Sequence, residues 1–118
     1  MKLYQYPKCS TCVKAAKYLK QLAVDFESIN IIESPPTKAE LKAMLLSYNG
    51  DIRKLFNVSG EQYRELKMKD KLPLMSDAQA IDLLASNGKL IKRPFLLNDK
   101  KQGIVGFKEE GWQQFLGA

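Results

Sequence analysis

The chain has no histidine, only two cysteines, one tryptophan and no apolar run near the ~20 residues of a membrane span. Without histidine there is no Cys-His or Ser-His-Asp catalysis, so an activated nucleophile here must be served by a cation, a helix end or a hydrogen bond. Zinc sites draw about four ligands, mostly cysteine and histidine. Two cysteines would have to be completed by carboxylates, and no metal is expected. Two cysteines are also too few to staple a secreted scaffold, which agrees with a reducing compartment. Met1-Lys2 leads straight into a strand-like segment with no signal-peptide apolar region, so the expected location is the cytoplasm, away from membranes.

What is present suits one folded domain over residues 1–118, with 45% hydrophobic residues for a single core. The net charge of +6 favours an anionic small substrate or an acidic partner surface. The lysines are spread along the chain and no recognition motif accompanies them, so direct nucleic-acid binding is not expected.

Both cysteines fall in Tyr6-Pro7-Lys8-Cys9-Ser10-Thr11-Cys12, where a strand turns into a helix. Lys2 to Tyr6 is short and rich in β-formers, Pro7 stops it, and from Ser10 the apolar residues Cys12, Ala16, Leu19 and Ala23 recur at helical spacing. Cys9 is therefore expected at a helix N-terminus. There the helix dipole, the N–H groups around Ser10 and Thr11, and the charge of Lys8 favour a thiolate below the ~8.5 of a free cysteine. Cys12, one turn on, is the candidate resolving thiol that closes a disulfide once Cys9 has reacted. The competing reading is two small buried hydrophobes in a reducing cytosol.

Val24 to Ile31 reads as a second strand, with Phe26 and Ile29 facing the core, and completes a βαβ unit. Glu33-Ser34-Pro35-Pro36 then breaks the pattern and opens a helical insertion over about 36–88. Thr37 and Glu40 form a capping box before a helix ending at Asn49-Gly50. Asp51 to Phe56 reads as a short helix capped by Asp51, and Ser59 to Leu66 as another, with Leu66 and Met68 turned inward. Ser76 caps a helix to Asn87 that Gly88 should stop in the left-handed conformation. Strands return as a hairpin, Phe95 to Leu97 and Gly103 to Gly106, joined by the turn Asn98 to Lys101. Lys108 to Leu116 closes the chain as a helix burying Trp112, Phe115 and Leu116. The order βαβ, helical insertion, ββα, with CxxC after the first strand, predicts an α/β thioredoxin-like fold with a mixed, four-stranded sheet.

A second candidate site is Lys92-Arg93-Pro94, just before the third strand. In a thioredoxin-like fold a proline there faces the CxxC motif and tends to be cis. Pro94 would bring Arg93 close to Cys9, where its planar fork serves both the thiolate and a substrate oxyanion. The alternative is that Lys92 and Arg93 are surface charges before a buried strand. Asn57 to Arg64 either lines the same cleft or simply connects two helices.

Along essentially its whole length the sequence resembles the ArsC-like family, which joins glutaredoxin-linked arsenate reductases and the Spx/MgsR regulators. The resemblance rests on YPKCSTC, SPPTKAEL, LFNVSGEQYRELKMKDKL, SDAQAIDLL, LIKRPFLL and VGFKEEGW. It implies a catalytic cysteine at Cys9, an anion-binding arginine at Arg93 and no bound cofactor. A thiol reductant, either glutathione with glutaredoxin or thioredoxin, would act as co-substrate, and the protein would be a monomer. It also departs from the arsenate reductases. Cys12 fills a position that they usually leave without cysteine, as in the Spx-type switch, and Asn57 and Gly106 or Phe107 stand where two further arginines are expected. The resemblance thus points to an oxidoreductase acting on a small anionic or disulfide substrate, and alternatively to a redox-sensing regulator that binds the RNA polymerase α-subunit.

Overall fold

In the computed structural model, which describes residues 1–117, strand β1 (Lys2–Gln5) buries Leu3 and Tyr4 on opposite faces of the sheet. Helix α1 (Ser10–Gln21) follows the turn at Pro7-Lys8 and buries Cys12, Ala15 and Leu19, while Ala16 on the rim of that face is half-buried. The chain returns as β2 (Glu27–Asn30), parallel to β1 with Lys2 opposite Glu27 and Gln5 opposite Asn30. The expected strand over Val24 to Ile31 thus contracts to four residues. Phe26 and Ile29 pack half-buried against opposite cores, and the fully buried residue is Ile31, whose N–H reaches Gln5 O at 2.9 Å.

The insertion is mostly helical. Helix α2 (Lys38–Ser47) begins at the Thr37–Glu40 capping box and ends before Asn49 and Gly50, both left-handed. A 3-10 turn, Ile52–Leu55, replaces the expected helix after Asp51. The Asp51 side chain caps nothing; the turn is closed by Lys54 N–H donating to Asp51 O at 3.2 Å. Helix α3 (Glu61–Glu65) is followed by a further short helix, α4 (Met68–Lys71), which buries Met68 and leaves Leu66 half-buried. Helix α5 (Asp77–Ser86) starts at a second capping box, Ser76 with Gln79.

Gly88 does not stop α5 in the left-handed region. The helix ends at the extended Asn87, and Gly88 is buried in a 3-10 turn, Gly88–Leu90, so close to β2 that a Cβ would lie 1.9 Å from Ile31 O. Glycine is needed there for the close approach of two backbones, not for a positive φ.

Strands β3 (Phe95–Leu97) and β4 (Gly103–Val105) form the hairpin, with Leu97 opposite Gly103. Asn98 Oδ1 accepts from the N–H groups of Lys100 and Gln102, both at 2.9 Å, and so shapes the connection. Helix α6 (Glu109–Leu116) buries Trp112 fully; Phe115 and Leu116 are only half-buried. Strand order is β2-β1-β3-β4, parallel between β1 and β2 and antiparallel elsewhere. This is the expected mixed four-stranded sheet of a thioredoxin-like fold.

One sheet face carries the insertion on a core of Tyr4, Leu41, Met44, Phe56, Ile81 and Phe95; the other carries α1 and α6 on Leu3, Leu19, Leu96 and Trp112. The outer N–H groups of edge strand β4 are satisfied by side chains of the insertion. Gly103 N–H donates to Ser47 Oγ at 3.0 Å and Val105 N–H to Tyr48 Oη at 2.9 Å. Among the described residues no helix is long and apolar enough to cross a membrane.

Glu40 ties the insertion to β1. It accepts from Tyr4 Oη at 2.7 Å, Lys2 Nζ at 3.2 Å and Thr37 N–H at 3.0 Å. Partial burial pushes its carboxyl up, but these donors outweigh it and hold the group below the usual carboxylate range. The folded protein therefore binds this proton less readily than the unfolded chain, and the stabilisation is present above about pH 4.3. It is lost as pH falls through the lowered folded value, and urea unfolding of Glu40→Gln should show a shallower acid limb than wild type. A Cβ at position 88 meets the backbone of Ile31 and Ile32, so Gly88→Ala should cost about 3 kcal/mol by the same measurement. A change under ~1 kcal/mol would mean that the two backbones can part.

Candidate active site

Cys9 is the N-cap of α1, in extended conformation at φ −96 and ψ 115. Its N–H donates to Tyr6 O at 3.0 Å, and its sulfur accepts the N–H of Cys12 at 3.4 Å. A helix N-terminus has backbone donors with no intrahelical partner, and here the sulfur takes one of them. Both thiols are free; Cys9 is half-buried and Cys12 has no exposed surface.

Their environments drive the two thiols apart. Partial burial pushes Cys9 up, yet the thiol and backbone N–H of Cys12, with the N–H groups and charge of Arg93, bring it below its ordinary value. Burial, chiefly, and then the hydrogen bond and charge of Cys9 push Cys12 up to about 12, against the opposing backbone of Tyr6 and charge of Arg93. The surroundings thus favour the charged form of Cys9 and the neutral form of Cys12.

Arg93 arrives from the far end of the chain. Strand β3 pairs with β1 so that Phe95 lies opposite Tyr4, and two residues beyond that pair the Arg93 guanidinium sits over the Tyr6 ring, 5.2 Å from its centroid. The Arg93-Pro94 peptide is cis, Pro94 is buried, and its carbonyl accepts Gly106 N–H at 2.8 Å. Lys92 is half-buried, its N–H donates to Leu55 O at 2.8 Å, and its stem crosses Gly106. A Cβ on Gly106, whose φ is +70, would meet Lys92 Cε at 3.2 Å. The small left-handed residue leaves room for the lysine.

Cys9, Thr11, Asn57, Lys92 and Arg93 line one cleft of about 700 Å³, with a wall that includes Tyr48 and Phe107. Among the described residues no carboxylate lines it. Lys8 and Ser10, expected beside the thiolate, are exposed and outside this lining. The lowering of the Cys9 pKa traces to Cys12 and Arg93 and not to Lys8. Of the segment Asn57 to Arg64 only Asn57 reaches the cleft; Arg64 bonds to Ser59 O at 3.1 Å and acts as part of a connector. Arg53 lines a neighbouring cavity. Lys92 and Lys108 are thus the cations that join Arg93 in the cleft.

Two contributors were not singled out from the sequence. Tyr6 supports Arg93, and its alternation with buried Tyr4 along β1 placed it on that face. Tyr48 walls the cleft from the end of α2, and nothing in its local pattern distinguishes it from a helix-terminal core residue.

A model of the ArsC family matches residues 4–115. The Bacillus subtilis protein YusI is 48% identical over 94% of this chain and 93% of its own length. The global transcriptional regulator Spx of Enterococcus faecalis is 31% identical over 97% of this chain and 84% of its own. A solved structure described as a possible arsenate reductase from Streptococcus mutans superposes with a TM-score of 0.86 at 39% identity, covering 95% of this chain and 96% of that one.

Because the fold stabilises the Cys9 thiolate, its alkylation rate against pH should rise to a midpoint below the ~8.5 of a free cysteine. Arg93→Ala removes a cation that favours the charged form, so the midpoint should move up and the rate at neutral pH fall. An unchanged profile in Arg93→Ala would disconnect the arginine from the sulfur.

Proposed function

This chain belongs to the ArsC family, and from that membership we propose that it is a thiol-disulfide oxidoreductase in which Cys9 attacks and Cys12 resolves. Its relatives and neighbours support a thiol oxidoreductase or an Spx-type regulator. The observation that carries the finer reading is the opposed tuning of the two sulfurs, Cys9 lowered and Cys12 raised, one helical turn apart.

In the first step the Cys9 thiolate attacks one sulfur of an oxidised disulfide substrate. The Cys9–S bond forms, the substrate S–S bond breaks, and the departing thiolate takes a proton from solvent. The negative charge beside Cys12 is consumed in that step, and one cause of the high Cys12 pKa goes with it, while the charge of Arg93 remains. Cys12 can then lose its proton and attack Cys9 Sγ, releasing the second substrate thiol and leaving a Cys9–Cys12 disulfide. Loss of the Cys9 charge favours the second attack after the first, while burial, the largest cause of the raised Cys12 value, persists. A cellular dithiol restores the reduced pair, each turnover moving two electrons and two protons.

Lys92, Arg93 and Lys108, with no carboxylate opposite, favour a substrate that carries negative charge near its disulfide, such as a glutathione mixed disulfide. Arsenate is less well served, because Asn57 and Gly106-Phe107 offer none of the bidentate arginine contacts of a tight oxyanion site. A second reading, a redox-sensing regulator that contacts the RNA polymerase α-subunit, is favoured by the length and identity of the Spx match.

Turnover discriminates. With a glutathione mixed disulfide and excess dithiothreitol, wild type should turn over repeatedly and Cys9→Ser should fall to the buffer rate. Without dithiothreitol, Cys12→Ser should stop after the first attack as a one-to-one adduct on Cys9, visible by mass spectrometry. Reduction that survives in Cys9→Ser would sink the proposal. A wild-type protein that forms the disulfide, shows no turnover and binds the α-subunit in only one redox state would be the regulator.

A further inference from the structure

The net positive charge of the chain is concentrated at its start. Residues 1–24 hold Lys2, Lys8, Lys14, Lys17 and Lys20 and no carboxylate, whereas the other 94 residues hold fourteen cations against thirteen carboxylates. Five of the six net charges therefore belong to β1, the Cys9 turn and α1. Lys14, Lys17 and Lys20 are exposed on the side of α1 away from its buried residues Cys12, Ala15 and Leu19. At 1.5 Å of rise per residue they lie roughly 7, 12 and 16 Å from Cys9 along the helix. The ion pairs among the described residues join the N-terminal amine to Asp99, Lys2 to Glu40 and Lys38 to Asp82, and use none of the three. Glu109 and Glu110, on α6 beside α1, leave them unpaired as well.

An exposed apolar side chain stands in the same stripe: Val13, 54% exposed and four residues from Cys9. A polyanion such as nucleic acid gains little from an isolated valine. A protein partner gains an apolar contact ringed by charge, which is the usual anatomy of a transient interface.

Chemistry at Cys9 says which protein. Cys12 has no exposed surface, so a Cys9–Cys12 disulfide offers an outside thiolate only Cys9 Sγ, at the head of the stripe. The cationic cleft formed with Arg93 serves the substrate, and α1 is left for a second visitor. We propose that the Lys14–Lys17–Lys20 face of α1, with Val13, docks the dithiol protein that regenerates this one, and that this reductant presents a negatively charged surface around its own cysteines. This rests on the oxidoreductase reading above. The partner thiolate attacks Cys9 Sγ; the Cys9–Cys12 bond breaks, and Cys12 leaves with the electron pair and takes a proton. The second partner thiol then loses its proton and attacks the partner sulfur of the mixed disulfide, releasing Cys9 as thiolate. The partner is oxidised to a disulfide and this protein regains its two thiols.

The test compares two reductants on the preformed Cys9–Cys12 disulfide: a thioredoxin of net negative charge as the protein probe, and uncharged dithiothreitol. Lys14→Glu/Lys17→Glu/Lys20→Glu should slow reduction by thioredoxin about tenfold or more at low ionic strength and leave the dithiothreitol rate unchanged. The neutral glutamine triple variant should fall between, and the differences should shrink at about 0.5 M salt, where such attraction is screened. Matching melting curves guard against a folding defect, which would also alter the dithiothreitol rate. Thioredoxin rates that ignore both the substitutions and salt would overturn the docking proposal while leaving the oxidoreductase reading intact. Failure to form any dithiothreitol-reducible disulfide would remove that reading and the docking proposal with it. Wild-type retention of duplex DNA or phosphatidylglycerol vesicles, lost in the glutamate variant while the thioredoxin rates do not change, would assign the stripe to a polyanion and overturn the proposal as well.

Discussion

The pairing of Tyr4 with Phe95 is the contact on which the site depends. It joins the two ends of the chain in antiparallel register, so Tyr6 and Arg93, each two residues beyond the pair, meet above the turn that carries Cys9. A slip of one residue would turn every side chain of β3 to the opposite face and aim Arg93 away from the sulfur. The pair is held by more than its ladder. The rings of Tyr4 and Phe95 meet edge to face at 5.6 Å, and Tyr4 is anchored to Glu40 on the insertion. The insertion thereby stabilises the register that assembles the chemistry, although most of it stands away from the cleft.

Charge divides the labour between the two thiols. The thiol and backbone N–H of Cys12, with the hydrogen bond and charge of Arg93, lower Cys9 without any histidine. Burial first, and then the hydrogen bond and charge of Cys9, favour the neutral form of Cys12. Neither effect involves a group that titrates near neutrality, in keeping with a sequence without histidine.

Much of this was legible in the residues. Capping boxes at Thr37 and Ser76 announced two helices, CxxC after a short strand announced the βαβ start, and Arg93-Pro94 before an apolar triplet announced the second half of the site. What could not be seen depends on contacts between distant segments. Gly88 looked like a helix stop because glycine usually is one, but its role is set by Ile31 on another element. Lys8 looked like a partner of the thiolate because it is adjacent in sequence, whereas the fold turns it outward and brings in Arg93. Asp51 had the right chemistry for a cap and the wrong geometry, since the turn after it closes through its backbone. The charge imbalance of the first 24 residues is in the sequence, but that Lys14, Lys17 and Lys20 share one exposed face without ion pairs is seen only in the fold.

The hydroxyls of Ser47 and Tyr48 occupy the outer hydrogen-bonding positions of β4. An uncovered β4 would template the addition of another chain's strand, and the sheet would have no natural end. These two residues therefore limit sheet growth, and Tyr48 does so while forming part of the cleft wall. Drift at these positions would appear first as poor solubility of the folded protein, before any change in its reactivity with thiols.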